Sequence, residues 1–177
     1  MTRWPIIPLM PIATGSTAAK MAESLGDAAV RQGGSLSLRI VIGENNHDLA
    51  LTLALLLNAE SDMTCVATAA SASAVLAAVD EHSPNAFILD MSLDDGPSLP
   101  LIQVLRGRLP AAVIVVFTGH KNELLKQRCL QAGADALVVK DGDFEELTVA
   151  LRLAAGAAAM RAAGESGPAG NGVSADG

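Results

Sequence analysis

The sequence predicts an α/β fold in which a parallel sheet carries helices on both faces. Strand-like and helix-like segments alternate from Leu38 onward, five pairs in about 120 residues, which is the pattern of βαβ units. Four of the apolar runs end on a polar group. Ile40-Val41-Ile42 leads into Gly43-Glu44-Asn45, Phe87-Ile88-Leu89 into Asp90, Val113-Ile114-Val115-Val116-Phe117 into Thr118, and Leu137-Val138-Val139 into Lys140. With 177 residues the chain is long enough for one domain with a real core, plus tails.

Taken in order, the run from Leu38 is the first strand. His47 to Ala59 reads as a helix capped by Asn46, with Leu49, Leu51, Leu53, Leu55, Leu56 and Leu57 forming a broad apolar face. Met63 to Ala67 reads as a short strand. Ser71 to His82 is a small amphipathic helix, because Val75, Leu76 and Val79 keep helical spacing, and Ser83-Pro84-Asn85 punctuates it. The Phe87 strand is followed by a Gly-Pro turn and a helix from about Ser98 to Arg108, with Pro110 in the next loop. After the Val113 strand comes a helix from about Lys121 to Gln131, closed by Gly133 as its C-cap. The Leu137 strand precedes a last helix that opens near Asp143. Glu145 and Glu146 in its first turn suit the helix dipole, and it extends toward Arg161 with Gly164 as its stop.

Residues 1–35 show no sustained period and read as a disordered leader with one weak Ala-rich helix around Ala18 to Arg31; Met1 and Met21 both fit as the start. The folded domain is expected over 36–162. The segment 163–177, rich in Gly, Ala, Ser and Pro, reads as a disordered tail.

Half the residues are hydrophobic, but much of this is Ala, which signals helix as much as core. Trp4, Phe87, Phe117 and Phe144 are the only aromatic residues and Tyr is absent, which argues against base-stacking platforms for single-stranded nucleic acid. The formal net charge is -7, and Leu36 to Ala155 alone holds 8 Lys+Arg against 15 Asp+Glu. That balance argues against direct DNA binding. It suits a basic protein partner, although solubility alone is the commoner reason for such a charge. Cys65 and Cys129 lack the spacing of a zinc or disulfide framework and read as free thiols in a reducing compartment. No apolar run reaches transmembrane length. Trp4 to Pro11 after Arg3 mimics a signal peptide, but its three prolines break a helical apolar region. The chain is therefore expected to be cytoplasmic, without membrane insertion.

In an open parallel sheet, ligands sit in the crevice outside the carboxyl ends of the strands. Two carboxylates, a hydroxyl and an ammonium at four such ends point to one carboxylate-lined metal and phosphoryl site centred on Asp90. Singly the groups say less. An Asp after an apolar strand is often a loop start or N-cap, Thr118-Gly119 reads equally as a turn, and Lys140 as a solvated strand end. Asp94 and Asp95 read as a polar turn rather than as metal ligands. His47, His82 and His120 read as surface or capping residues.

The four motifs together resemble the response-regulator receiver domain. Leu38-Arg39-Ile40-Val41-Ile42-Gly43-Glu44-Asn45-Asn46 is similar to its first strand and acidic pair, and Phe87-Ile88-Leu89-Asp90-Met91-Ser92-Leu93 to its phosphoacceptor strand. Phe117-Thr118-Gly119 and Ala132-Gly133-Ala134-Asp135-Ala136-Leu137-Val138-Val139-Lys140 resemble its last two signatures. The resemblance spans about residues 38 to 155 and implies a flavodoxin-like doubly wound (βα)5 fold with strand order 2-1-3-4-5. It implies Asp90 as phosphoacceptor, assisted by Thr118 and Lys140, and Mg²⁺ held by Glu44, Asn45, Asp90 and the Ser92 carbonyl. The partners it implies are a sensor histidine kinase or phosphotransfer protein and an unidentified output protein. The output contact would lie on the face of the fourth and fifth helices and fifth strand. The chain is then a stand-alone receiver, and not an enzyme beyond assisting its own phosphorylation and dephosphorylation.

The sequence departs from that pattern in several places. Asn45 replaces the second carboxylate of the acidic pair, which weakens Mg²⁺ binding without abolishing it. Asp94 stands where the family usually has Pro, and Ser98 where Gly is common. Leu137 occupies the position of the switching Tyr or Phe. Asp141 replaces the frequent Pro after the lysine, which predicts a less fixed Lys140 loop. Two other function classes compete. One is a pseudo-receiver serving as a constitutive interaction domain with a degenerate metal site, favoured by Asn45 and Leu137. The other is a small doubly wound enzyme binding a nucleotide or flavin, opposed by the lack of a Gly-rich phosphate loop after the first strand.

Overall fold

A computed structural model describes residues 37–141 and 143–164. The leader read over 1–35 lies outside the described residues, as does the tail read over 163–177 apart from Ala163 and Gly164, which end the last helix rather than begin a disordered tail. The elements in chain order are β1 (Leu38–Gly43), α1 (His47–Asn58), β2 (Met63–Ala69), α2 (Ala72–His82), β3 (Ala86–Leu89), β4 (Ser92–Leu93), β5 (Gly96–Pro97), α3 (Leu99–Arg108), β6 (Val113–Thr118), α4 (Glu123–Ala132), β7 (Ala136–Val139) and α5 (Phe144–Gly164). One five-stranded parallel sheet runs β2-β1-β3-β6-β7, and β4 and β5 form a separate antiparallel ribbon. Without the ribbon, the order is the expected 2-1-3-4-5.

The central strands are apolar on both faces because helices cover both. All four residues of β3 and all six of β6 are buried. Alternate residues feed two cores. Ile40, Ile42, Ile88 and Val115 meet Leu53 and Leu57 of α1 and Leu147 and Leu151 of α5. Val41, Phe87, Ile114 and Val116 meet Val75 of α2, Ile102 and Leu105 of α3 and Cys129 of α4.

Caps set the helix ends close to where the sequence puts them. The side chains of Asn46, Ser71 and Asn122 each accept from a backbone N–H of the first turn. Asn122 serves both Leu124 and Leu125, so α4 begins at Glu123 rather than at Lys121. Gly133 closes it at φ 109°, and a Cβ there would lie 2.8 Å from Arg106 Cγ. Arg106 itself ties three segments together. It donates to the carbonyls of Gly133, Pro110 and Ala112 and to Asp135 Oδ2. Asp135 also accepts from the Ile114 N–H and pairs with Arg161. This cluster anchors the turn into β7, and with it the register that delivers Lys140 to the strand end.

A second cluster joins α5 to the α1–β2 loop, where Arg152 pairs with Glu60 and Asp62 at 2.6 and 2.8 Å. The guanidinium holds the Asp62 carboxyl below its ordinary value of 3.8. A depressed folded-state value contributes stability above 3.8 that is lost as pH falls through the folded value. Asp62→Asn is therefore expected to lower stability at neutral pH, by less than about 1 kcal/mol for so exposed a pair. Chemical denaturation should show the two proteins converging once pH drops below both values. A constant offset at every pH would refute the assignment.

Candidate functional site

The site forms where β1 and β3 meet. A Cβ on Gly43 would lie 2.9 Å from Leu89 Cδ2 and 3.1 Å from Val75 Cγ2, so glycine leaves room for those two side chains beside the strand end. The Asp90 N–H donates to the Gly43 carbonyl at 2.7 Å, and the Glu44 N–H to Ala69 at 2.9 Å. The backbone thus brings both carboxylates to the same edge. Glu44 is 4% exposed; its Oε1 accepts from the Asn46 N–H at 3.0 Å, and its Oε2 lies 2.6 Å from Lys140 Nζ. Asp90 Oδ1 accepts from the Met91 N–H at 2.8 Å and lies 3.2 Å from the same ammonium. Asp90 Oδ2 accepts no hydrogen bond among the described residues.

Lys140 is delivered from the end of β7. Its N–H donates to the Thr118 carbonyl at 2.8 Å, and its Nζ lies 5.9 Å from the Phe117 ring centroid. Thr118 is fully buried, and its Oγ1 accepts from the His120 N–H at 3.3 Å. Of the residues singled out from the sequence, Lys140 contacts both Glu44 and Asp90, and Thr118 sits at the neighbouring strand end. Asn45 and Ser92 flank them, exposed, with no hydrogen bond to Asp90 or Lys140. Leu137 is half-buried, paired in register with Val116 and packed against the α2–α3–α4 core.

Several contributors carry no sequence signal. Ser98 is fully buried; its hydroxyl donates to the Asp90 main-chain carbonyl, and its N–H donates to Met91. Asp95, expected in a plain polar turn, accepts from the N–H groups of Ala72 at 2.7 Å and Ser73 at 3.0 Å. The Ser73 and Ala72 amides hold its carboxyl below the usual range. With the Asp94 N–H donating to Ala70, this staples the segment after Asp90 onto the start of α2. The partners lie 22 and 23 residues away, and no local pattern encodes them.

The Lys140 side chain reaches both Glu44 and Asp90 although no proline follows it. Beside its two carboxylate contacts, the next residue, Asp141, pairs with Lys121 at 2.6 Å, and this contact raises the Lys121 pKa.

The residues present fit a small divalent cation. Two carboxylates already converge on one positive charge, and Asn45 and Ser92, both exposed, follow Glu44 and Asp90 by one and two residues. Such a set of a few hard oxygens with room for water is what Mg²⁺ prefers. Among the described residues no group of three or more His, Cys, Asp or Glu side chains is placed to hold a metal ion, so a cation here would rest on two carboxylates at most. No helix among the described residues is long and apolar enough to cross a membrane.

The chain is similar in sequence and fold to known proteins. The oxygen regulatory protein NreC of Staphylococcus haemolyticus is 29% identical over 116 residues, covering 65% of this chain and 54% of NreC. Among solved structures, a DNA-binding response regulator of the LuxR family from Staphylococcus aureus superposes with a TM-score of 0.62 at 19% identity, over 67% of this chain and 98% of that one. RcsB of Salmonella enterica serovar Typhimurium, bound to promoter rprA with the phosphomimetic BeF3-, gives 0.60 at 19% identity, over 65% of this chain and 66% of RcsB. These two likenesses show the fold.

The chain spans about half the length of the curated relatives it matches, and those relatives extend well beyond the matched segment. The expectation of no direct DNA binding is therefore corrected. One similar protein is described as DNA-binding and another was solved on a promoter. The negative charge was counted over this chain, and the relatives it matches are about twice as long as the matched part. The family model for the response regulator receiver domain matches residues 40–152, a span that holds all four strand-end motifs, and the chain belongs to that family.

Proposed function

We propose that Asp90 accepts a phosphoryl group from a phosphohistidine on a kinase or phosphotransfer protein, and that the domain signals by protein contact. The observation that carries this is the Asp90 carboxylate itself. Oδ1 is held by the Met91 N–H and Lys140, while Oδ2 accepts no hydrogen bond among the described residues. Oδ2 attacks phosphorus, the P–N bond breaks, and its electron pair stays with the leaving imidazole. Lys140 then turns from Glu44 toward a phosphoryl oxygen, and the Thr118 hydroxyl donates to another. Glu44, Asn45, Asp90 and the Ser92 carbonyl would hold Mg²⁺, whose charge lets anion approach anion. Beyond its own phosphorylation and dephosphorylation the domain catalyses nothing, and it works in the cytoplasm, where such donors act.

A constitutive pseudo-receiver is the second reading, favoured by Asn45 at the metal edge and by the packed Leu137. Incubation with acetyl phosphate and Mg²⁺, followed by intact mass and peptide mapping, separates the two. The expected result is a single phosphoryl adduct on the peptide containing Asp90, absent when Mg²⁺ is chelated. A protein that gains no mass, or gains it elsewhere, overturns the proposal.

A further inference from the structure

Thr118 and Lys140 lie on neighbouring strands, and the chain leaves each strand through an exposed loop. Lys121 follows Thr118 by three residues, Asp141 follows Lys140 directly, and their side chains meet at 2.6 Å. Within the sheet the two strand ends are joined by the Lys140 N–H to Thr118 carbonyl bond. Beyond it, the Lys121–Asp141 pair links the two loops.

At its far end the first loop is tied to α4, where Asn122 accepts from the N–H groups of Leu124, Leu125 and Lys126. A Cβ on Gly119 would meet nothing within 4 Å, and His120 to Asn122, with Leu124, Leu125 and Arg128, line a cleft of about 320 Å³. The loop is also tied to the site, because Thr118 Oγ1 accepts from the His120 N–H. When the hydroxyl swings toward an anion on Asp90, His120 and Lys121 are drawn with it. In the family that this chain resembles, an aromatic ring at the position of Leu137 accompanies such a movement. Leu137 is half-buried against the core and has no ring to swing.

We infer that Lys121 and Asp141 are positioning residues of the phosphoryl site: their ion pair makes the Thr118 loop and the Lys140 segment move as one body. This rests on the function proposed above. Both side chains are largely exposed, at 70% and 59%, so the pair holds no core together. Its effect is correspondingly modest and sensitive to salt.

The test uses three variants: Lys121→Ala, Asp141→Ala, and the charge swap Lys121→Asp with Asp141→Lys. With acetyl phosphate and Mg²⁺, each single variant is expected to be phosphorylated about threefold more slowly, and the swap to recover most of the loss. The sign for Asp141→Ala is diagnostic. If charge alone mattered, removing an anion near the site would speed the attack by a phosphodonor dianion; loss of positioning slows it. Salt at about 1 M, where the screening length is about 3 Å, should bring the wild-type rate down to that of the single variants. Bound beryllofluoride should shift the Asp141 amide in wild type and in the swap, and leave it nearly still in Lys121→Ala. A swap no faster than the single variants, or an Asp141 amide that moves equally in wild type and Lys121→Ala, overturns the inference. A wild-type protein that forms no Asp90 adduct overturns the proposed function instead, and all variants phosphorylating at the wild-type rate overturns only the ion-pair role.

Discussion

Lys140→Ala is expected to slow Asp90 phosphorylation by acetyl phosphate about a hundredfold, the usual cost of removing one preorganised charge from a transition state. In the resting protein this ammonium serves two carboxylates, at 2.6 Å from Glu44 and 3.2 Å from Asp90. Their side chains are 3% and 15% exposed, so neither carboxylate has much water to fall back on. Removing the shared cation leaves two buried negative charges facing each other, which costs about 2–3 kcal/mol of stability at neutral pH. The same loss removes a competitor for any divalent cation. Thermal melts should therefore show a variant that is less stable than wild type without Mg²⁺ and gains more from it, since a ligand that binds only the folded state stabilises by mass action. Rate and melt are separate readouts. Wild-type phosphorylation kinetics in Lys140→Ala would remove the lysine from the phosphoryl chemistry, whatever the melts show.

What could be read in the sequence depended on how local the determinant is. The four strand ends were legible because each is an apolar run followed by one polar residue. The central strands, apolar on both faces, announced a sheet covered on both sides. Asn46 and Ser71 were legible as helix starts because a cap acts within three residues. By contrast, the Asp95 staple to α2, the Ser98 hydroxyl on the Asp90 carbonyl and the Arg106–Asp135 anchor join residues from 8 to 29 positions apart. Nothing in the flanking sequence of either partner marks them. Lys121 and Asp141 fall between these cases. Opposite charges just after Thr118 and Lys140 are visible in the sequence, but their contact depends on β6 and β7 being neighbours in register. Asp141 pairs with a residue on another loop, so the sequence around Lys140 does not show that contact. The expectation of no direct DNA binding fails for a different reason: it rests on the net charge of this chain, which spans about half the length of its relatives.

Asn45→Asp should move the metal site in the opposite direction to its present tuning. Asn45 follows the buried Glu44 directly and is itself exposed, so a carboxylate there would face the same edge as Glu44 and Asp90 with water at its back. A charged oxygen in place of an amide oxygen should tighten Mg²⁺ binding about tenfold, the scale of a single well-placed charge in a partly screened site. Without metal the same change is unfavourable. Lys140 would then answer three carboxylates instead of two, and the metal-free protein should lose about 1 kcal/mol of stability. The melting curves of the two proteins are therefore expected to cross as Mg²⁺ is raised, with the variant below wild type in chelator and above it at saturation. Asn46→Asp is the control. It adds the same charge one residue further on, where Asn46 caps α1 and Asp caps as well, so it should show no crossing. If Asn45→Asp follows wild type at every Mg²⁺ concentration, or if both variants cross alike, then Asn45 lies outside the coordination shell and the cation is held by Glu44 and Asp90 alone.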